Sequence, residues 1–177
     1  KAFTSDFEVN PGTFGVGGLD PELADRIDAL PEVESASGVR FGAVEIDGST
    51  TQILGVDPAG GFDLVDVEPL QGSPDDLGPD AIGIFEDVAD EDDLAVGDTV
   101  DVTFKDTGVQ PLQVAMIYGE DQPAGNYIIG RSAYEANFAE QYDTFVFVKK
   151  APDAGSAAAL AAVQREAKAF PGAEVND

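Results

Sequence analysis

Apolar and polar positions alternate strictly from Thr99 to Phe104, so Val100, Val102 and Phe104 share one face of a predicted strand while Thr99, Asp101 and Thr103 share the other. The stretch before it is patterned differently. Ala81 to Phe85 is a short apolar run that predicts a strand, and Glu86 to Asp93 predicts a short acidic helix. Gly97-Asp98 then turns the chain. In this reading Val96 packs inward with Val100 to Phe104, and Asp87 to Asp93 face water. After a turn at Asp106 to Gly108, Leu112 to Tyr118 predicts a strand that returns beside Thr99 to Phe104 as a hairpin.

On the N-terminal side, Ala2 to Val9 predicts a first strand, and Asn10 to Gly18 is a Gly-rich loop. Asp20 and Pro21 are placed to start a helix whose Leu23, Ile27 and Leu30 form one apolar face, and Pro31 stops it. Val33 to Val39 is strand-like and continues through Arg40 to Ile46. Asp47-Gly48 signals a hairpin into Thr51 to Val56. Pro58 to Asp80 is rich in Gly and Pro and reads as loop. Further on, Tyr127 to Ile129 predicts a short strand. Ser132 to Tyr142 predicts a helix with Tyr134, Phe138 and Tyr142 in one stripe. Thr144 to Val148 predicts a strand, and Ala154 to Phe170 a helix. Ala173 to Val175 starts a last strand.

One internal similarity bears on topology. The first helix ends Ala29-Leu30-Pro31-Glu32-Val33-Glu34 and the last ends Ala169-Phe170-Pro171-Gly172-Ala173-Glu174. Two β-α-β units of this kind are the halves of a ferredoxin-like, split βαβ sheet. The predicted fold is therefore α+β, with residues 1–57 and 143–177 forming a ferredoxin-like subdomain with its helices on one face. Residues 58–142 form an inserted β-rich subdomain.

Composition narrows the function. The 177 residues include 35 Asp+Glu against 9 Lys+Arg, a formal net charge of −26. A nucleic-acid partner is excluded in this reading, because a phosphate backbone needs cations to neutralise it. An anionic membrane surface is disfavoured on the same ground. The charge fits a salt-adapted protein or a locally solvated surface equally. With no Cys and no His, thiol chemistry, disulfides and the commonest general base are all missing. No apolar run is long enough for a membrane helix.

The candidate chemistry is thin. Asp87, Asp90, Glu91, Asp92 and Asp93 invite a divalent cation, but they lack the spacing and central Gly of a calcium loop, and a solvated helix accounts for them. Paired carboxylates can hydrolyse glycosidic bonds, yet 35 acids will produce close pairs by chance. There is no G-x-S-x-G elbow, and Gly15-Val16-Gly17-Gly18 lacks the spacing and Lys of a phosphate loop. No metal, cofactor or catalytic residue is assigned. Arg131, Tyr127 and Tyr134 remain as candidate partner contacts, set against core packing for the tyrosines and an ordinary ion pair for the arginine.

The helix followed by Leu30-Pro31-Glu32-Val33, then Leu54-Gly55-Val56-Asp57-Pro58, resembles the extracytoplasmic domain of MacB/FtsX-like ABC transporter permeases. So do Leu70-Gln71-Gly72-Ser73, Ile82-Gly83-Ile84, Leu94-Ala95-Val96-Gly97-Asp98-Thr99-Val100 and the segment Asp143 to Lys149. The resemblance runs from about Leu19 to the end. It implies a porter-like form for the subdomain of residues 1–57 and 143–177, within a non-catalytic domain outside the cell membrane, part of an integral membrane protein. Such a domain couples ATP-driven helix movement to engagement of an extracytoplasmic protein, peptide or lipid substrate. The implied partners are the permease's transmembrane helices, a separate ATP-binding subunit and a second permease copy in a homodimer or heterodimer. Both chain ends should then lie together at one end of the fold. The competing reading is a secreted or surface-attached ligand-binding module with no transport role.

Overall fold

In the computed structural model, residues 4–12 and 17–177 are described; Ala2 and Phe3 of the expected first strand, and Gly15 and Val16 of the Gly-rich loop, lie outside them. The strands are β1 (Phe7–Asn10), β2 (Val33–Ile46), β3 (Ser49–Val56), β4 (Pro69–Gly72), β5 (Ala81–Phe85), β6 (Thr99–Phe104), β7 (Gly108–Tyr118), β8 (Tyr127–Gly130), β9 (Phe145–Lys150) and β10 (Glu174–Asn176). The helices are α1 (Glu22–Asp28), α2 (Glu86–Glu91), α3 (Arg131–Asn137) and α4 (Ser156–Ala167).

The chain ends build one sheet, ordered β10-β1-β9-β2 with every neighbour antiparallel. That is the strand order of a split βαβ unit: α1 connects β1 to β2, α4 connects β9 to β10, and each pair lies one strand apart. Both helices pack with Val9, Val146 and Val148 in one apolar cluster, which also holds Leu23, Ile27 and Val163. Glu22 N–H bonds the Asp20 carboxylate at 2.9 Å, so Asp20 does satisfy the helix start. The repeated helix endings adopt the same turn: Val33 N–H bonds Leu30 O at 3.0 Å, and Ala173 N–H bonds Phe170 O at 3.2 Å. Arg26 joins the two helices, 2.9 Å from Glu166 and 5.4 Å above the Phe170 ring. Glu8 pairs with Asn176, so the two ends of the chain leave this sheet side by side, as expected.

The middle of the chain closes on itself. β2 pairs with β3, β3 with β8, β8 with β5, β5 with β7, β7 with β6, and β6 returns to β2 at Ile46↔Val102. The result is a small barrel, in which closure removes free strand edges and side chains fill the interior. The alternation along β6 places Val100, Val102 and Phe104 inside with Ile53, Ile82 and Leu112. β2 belongs to both bodies. Its first half, Val33 to Val39, pairs with β9, and its second, Arg40 to Ile46, is a stave of the barrel. A second cluster around Leu54, Met116, Tyr118 and Phe147 fills the space between barrel and sheet.

Three elements differ from expectation. β4 lies within the stretch read as loop. All four of its residues are exposed on an edge against β7, so no buried face marks it in the sequence. α3 ends at Asn137 rather than running to Tyr142. Phe138 leaves the helix at φ −116° and ψ 132° to stack on Tyr134 and meet Phe104 edge-on, and Tyr142 lies in the exposed segment beyond. Val96 is exposed, because Gly97 at φ 101° turns the chain before β6 begins. Asp87 and Asp90 to Asp93 do face water.

Candidate functional site

Two charged regions lie at opposite ends of the barrel's β2 stave. The first is where the barrel meets the sheet. Arg40 opens the barrel half of β2 with only 4% of its side chain exposed. Its Nε donates to Asp143 Oδ1 at 2.8 Å, and its Nη1 donates to Gln141 Oε1. The guanidinium carbon sits 5.7 Å from the Tyr134 ring centre, and Glu135 lies at 3.9 Å. Asp143 is fully buried just before β9, where the chain returns from the barrel to the sheet. Its backbone is fastened to Leu19 by hydrogen bonds in both directions, at 2.7 and 2.9 Å.

Arg131 completes this cluster from the start of α3. It donates to the Gly38 carbonyl at 2.7 Å and stands 3.9 Å from Asp143 Oδ1. Asp143 Oδ2, in contrast, is buried with no hydrogen-bond partner among the described residues. Gly38 explains how the carboxylate fits: a Cβ there would overlap Asp143. Gly55 does the same for Tyr134, whose ring a Cβ would meet at 2.8 Å, and the Tyr134 hydroxyl donates to Phe41 O at 3.2 Å. Burial dominates the Asp143 carboxyl and pushes its pKa above the ordinary carboxylate value, against the pull of the Arg40 hydrogen bond and the Arg131 charge. Burial likewise raises the Tyr134 phenol, with Arg40 opposing it.

The second region is the far mouth of the barrel. Asp47 sits in the β2–β3 turn, where Asp47 and Gly48 have φ of 51° and 76°. That is the positive-φ pair which a tight hairpin needs. Asp47, Asp92, Leu94, Thr99, Asp101 and Tyr127 line a cleft of about 470 Å³. Among the described residues no group of acids is close enough to hold a metal ion.

The three candidate residues are thus divided. Arg131 and Tyr134 converge on Arg40 and Asp143, whereas Tyr127 belongs to the mouth. Sequence reasoning missed Arg40 and Asp143. The available signal was a cation within a strand-like run, in a chain with only 9 of them.

The fold has known counterparts. The crystal structure of the periplasmic region of MacB from Actinobacillus actinomycetemcomitans superposes with a TM-score of 0.76 at 15% identity, covering 99% of this chain and 90% of that one. The extracellular domain of the noncanonic ABC-type transporter YknZ from Gram-positive bacteria gives 0.64 at 15% identity, over 97% and 99%. A domain of a putative permease protein from Porphyromonas gingivalis gives 0.63 at 16%, over 96% and 86%. No curated protein sequence matches the chain significantly. Among the described residues no helix is long and apolar enough to cross a membrane. The profile of the MacB-like periplasmic core domain matches residues 1–169, and the chain belongs to that family, the extracytoplasmic domains of MacB/FtsX-like ABC transporter permeases.

Proposed function

We propose that this domain works without catalysis, passing ATP-driven movement of the permease's membrane helices to a substrate or partner protein outside the membrane. The observation that carries this reading is the pairing of Glu8 with Asn176, which brings both chain ends to one edge of the sheet. Two membrane helices continuing from those ends would move β1 and β10 together. The moving parts are the sheet of the chain ends and the barrel, which meet along β2. Arg40, Asp143 and Arg131 hold the two against each other, because a buried charge separated from its partner is strongly disfavoured. Tyr134 positions Arg40, and Tyr127 at the barrel mouth is the partner contact. The remaining partners are a separate ATP-binding subunit and a second permease copy.

Spin labels at Asp90 on α2 and Ala158 on α4, both exposed, report the separation of barrel and sheet in the intact permease. With the ATP-binding subunit present, the distance distribution should shift when a non-hydrolysable ATP analogue is added. Identical distributions in the two states would remove the coupling role.

A further inference from the structure

The barrel mouth has the chemistry of a binding site in its own right. Asp47, Asp92 and Asp101 contribute three carboxylates to its wall, and no Lys or Arg lines it. None of the three carboxylates takes part in an ion pair or side-chain hydrogen bond among the described residues. Arg40 and Arg131 pair at the junction instead, and Arg26 and Lys149 pair along the sheet and its helices.

The floor of the cleft supplies an independent observation. Tyr127 is 92% buried, its ring packed in the barrel core with Ile53 and Ile84, and it borders the cleft. Its hydroxyl has no hydrogen-bond partner among the described residues and is not sealed from solvent, unlike Asp143 Oδ2. The side chain therefore holds an unused donor and acceptor beneath a rim of carboxylates. Burial, reinforced by Asp92, Asp47 and Glu91, raises the phenol above its usual pKa and keeps it neutral. The cleft's volume of about 470 Å³ suits a small organic ligand. The carboxylates are too dispersed to close around one metal ion.

We propose that this mouth binds an organic cation, an alkylammonium or guanidinium group, which pairs with Asp92 and Asp101 at the rim and donates a hydrogen bond to the Tyr127 hydroxyl at the floor. A long, multi-donor cation reaches carboxylates that a compact ion cannot bridge. The ring of Tyr127 adds an apolar wall for the ligand's carbon chain. The site stands whether or not the domain couples movement, because it depends only on the barrel.

The test uses the 177-residue chain in about 0.15 M salt, where diffuse attraction to the acidic surface is largely screened. Agmatine and a capped arginine-glycine dipeptide are titrated separately and followed by amide chemical shifts. Shifts should concentrate at Asp47, Asp92, Asp101 and Tyr127. The double variant Asp92→Asn/Asp101→Asn should weaken binding at least about tenfold, and Tyr127→Phe about threefold, in line with losing charged and neutral hydrogen bonds respectively. Asp75→Asn/Asp76→Asn, which removes the same charge elsewhere, should leave it unchanged. Binding of agmatine supports a free small cation as ligand, and binding of the dipeptide alone supports a partner's side chain. The proposal is overturned if neither binds, if shifts spread over the acidic surface, or if the Asp75/Asp76 variant weakens binding as much. Tighter binding of Mg²⁺ than of agmatine at the same residues also overturns it.

Discussion

Arg40, at the start of the barrel half of β2, and Asp47, just past its last residue, meet opposite surroundings. Arg40 is buried and meets Asp143 at 2.8 Å, with Arg131 close behind. Asp47 stands at an open mouth beside Asp92 and Asp101, with no cation lining the cleft. The chain has few cations, and it spends two of them on one buried carboxylate while leaving the acids at the mouth unmatched. Burial, not charge count, sets what each group is worth. At the junction a charge without its partner has no water to turn to, whereas at the mouth each carboxylate keeps its hydration.

Arg40→Ala should have the largest effect, a loss of about 3–5 kcal/mol in urea unfolding, because Asp143 keeps only the more distant Arg131. A loss under about 1 kcal/mol, the range of a surface pair, would erase the contrast between the two regions. Gly38→Ala comes next. Forcing a Cβ against Asp143 should cost about 1–3 kcal/mol by the same measurement. Arg131→Gln loses a charged hydrogen bond to Gly38 O on a side chain 24% exposed, and about 1.5 kcal/mol is expected.

Asp143→Asn sharpens the comparison through pH. The native carboxyl has a raised pKa, so the folded state holds a proton that the unfolded state has released once the pH passes the ordinary value of 3.8. Stability contributed by this group is present below 3.8 and falls as pH rises from there through the raised native pKa. In stability measured against pH, the wild type should therefore lose stability relative to the variant across that window, by at most about 1.4 kcal/mol per pH unit. A rise relative to the variant would mean that the arginines, not burial, control Asp143. The smallest effect belongs to Asp92→Asn at the mouth, which should stay within about 0.5 kcal/mol of wild type.

Local chemistry made much of the fold readable in advance. The alternation of Val100, Val102 and Phe104, the Asp20 start of α1 and the Asp47-Gly48 turn each act through neighbouring residues. The matched endings at Leu30-Pro31 and Phe170-Pro171 revealed the split βαβ order because the same turn closes both helices. Barrel closure was hidden, since β6 meets β2 through only Ile46 and Val102 and their neighbours, far apart in sequence. The end of α3 was equally hidden. Phe138 continues the helical spacing of Tyr134, but Phe104 draws it out of the helix, and Asn137 is taken up by the Thr107 hydroxyl at 2.7 Å. Of the candidate site, Tyr127, Tyr134 and Arg131 were visible as residue types. The Arg40–Asp143 bond joins positions 103 residues apart, and no local pattern announces it.

The length of β2 has a mechanical consequence. It runs without a break through 14 residues, from the sheet that holds the chain ends to the barrel mouth. At about 3.3 Å per residue it extends at most roughly 46 Å, so pivoting it by about 5° at Val33 would sweep Ile46 through about 4 Å. A lever of this kind trades a small rotation near the chain ends for a displacement as wide as an amino-acid side chain at the far tip.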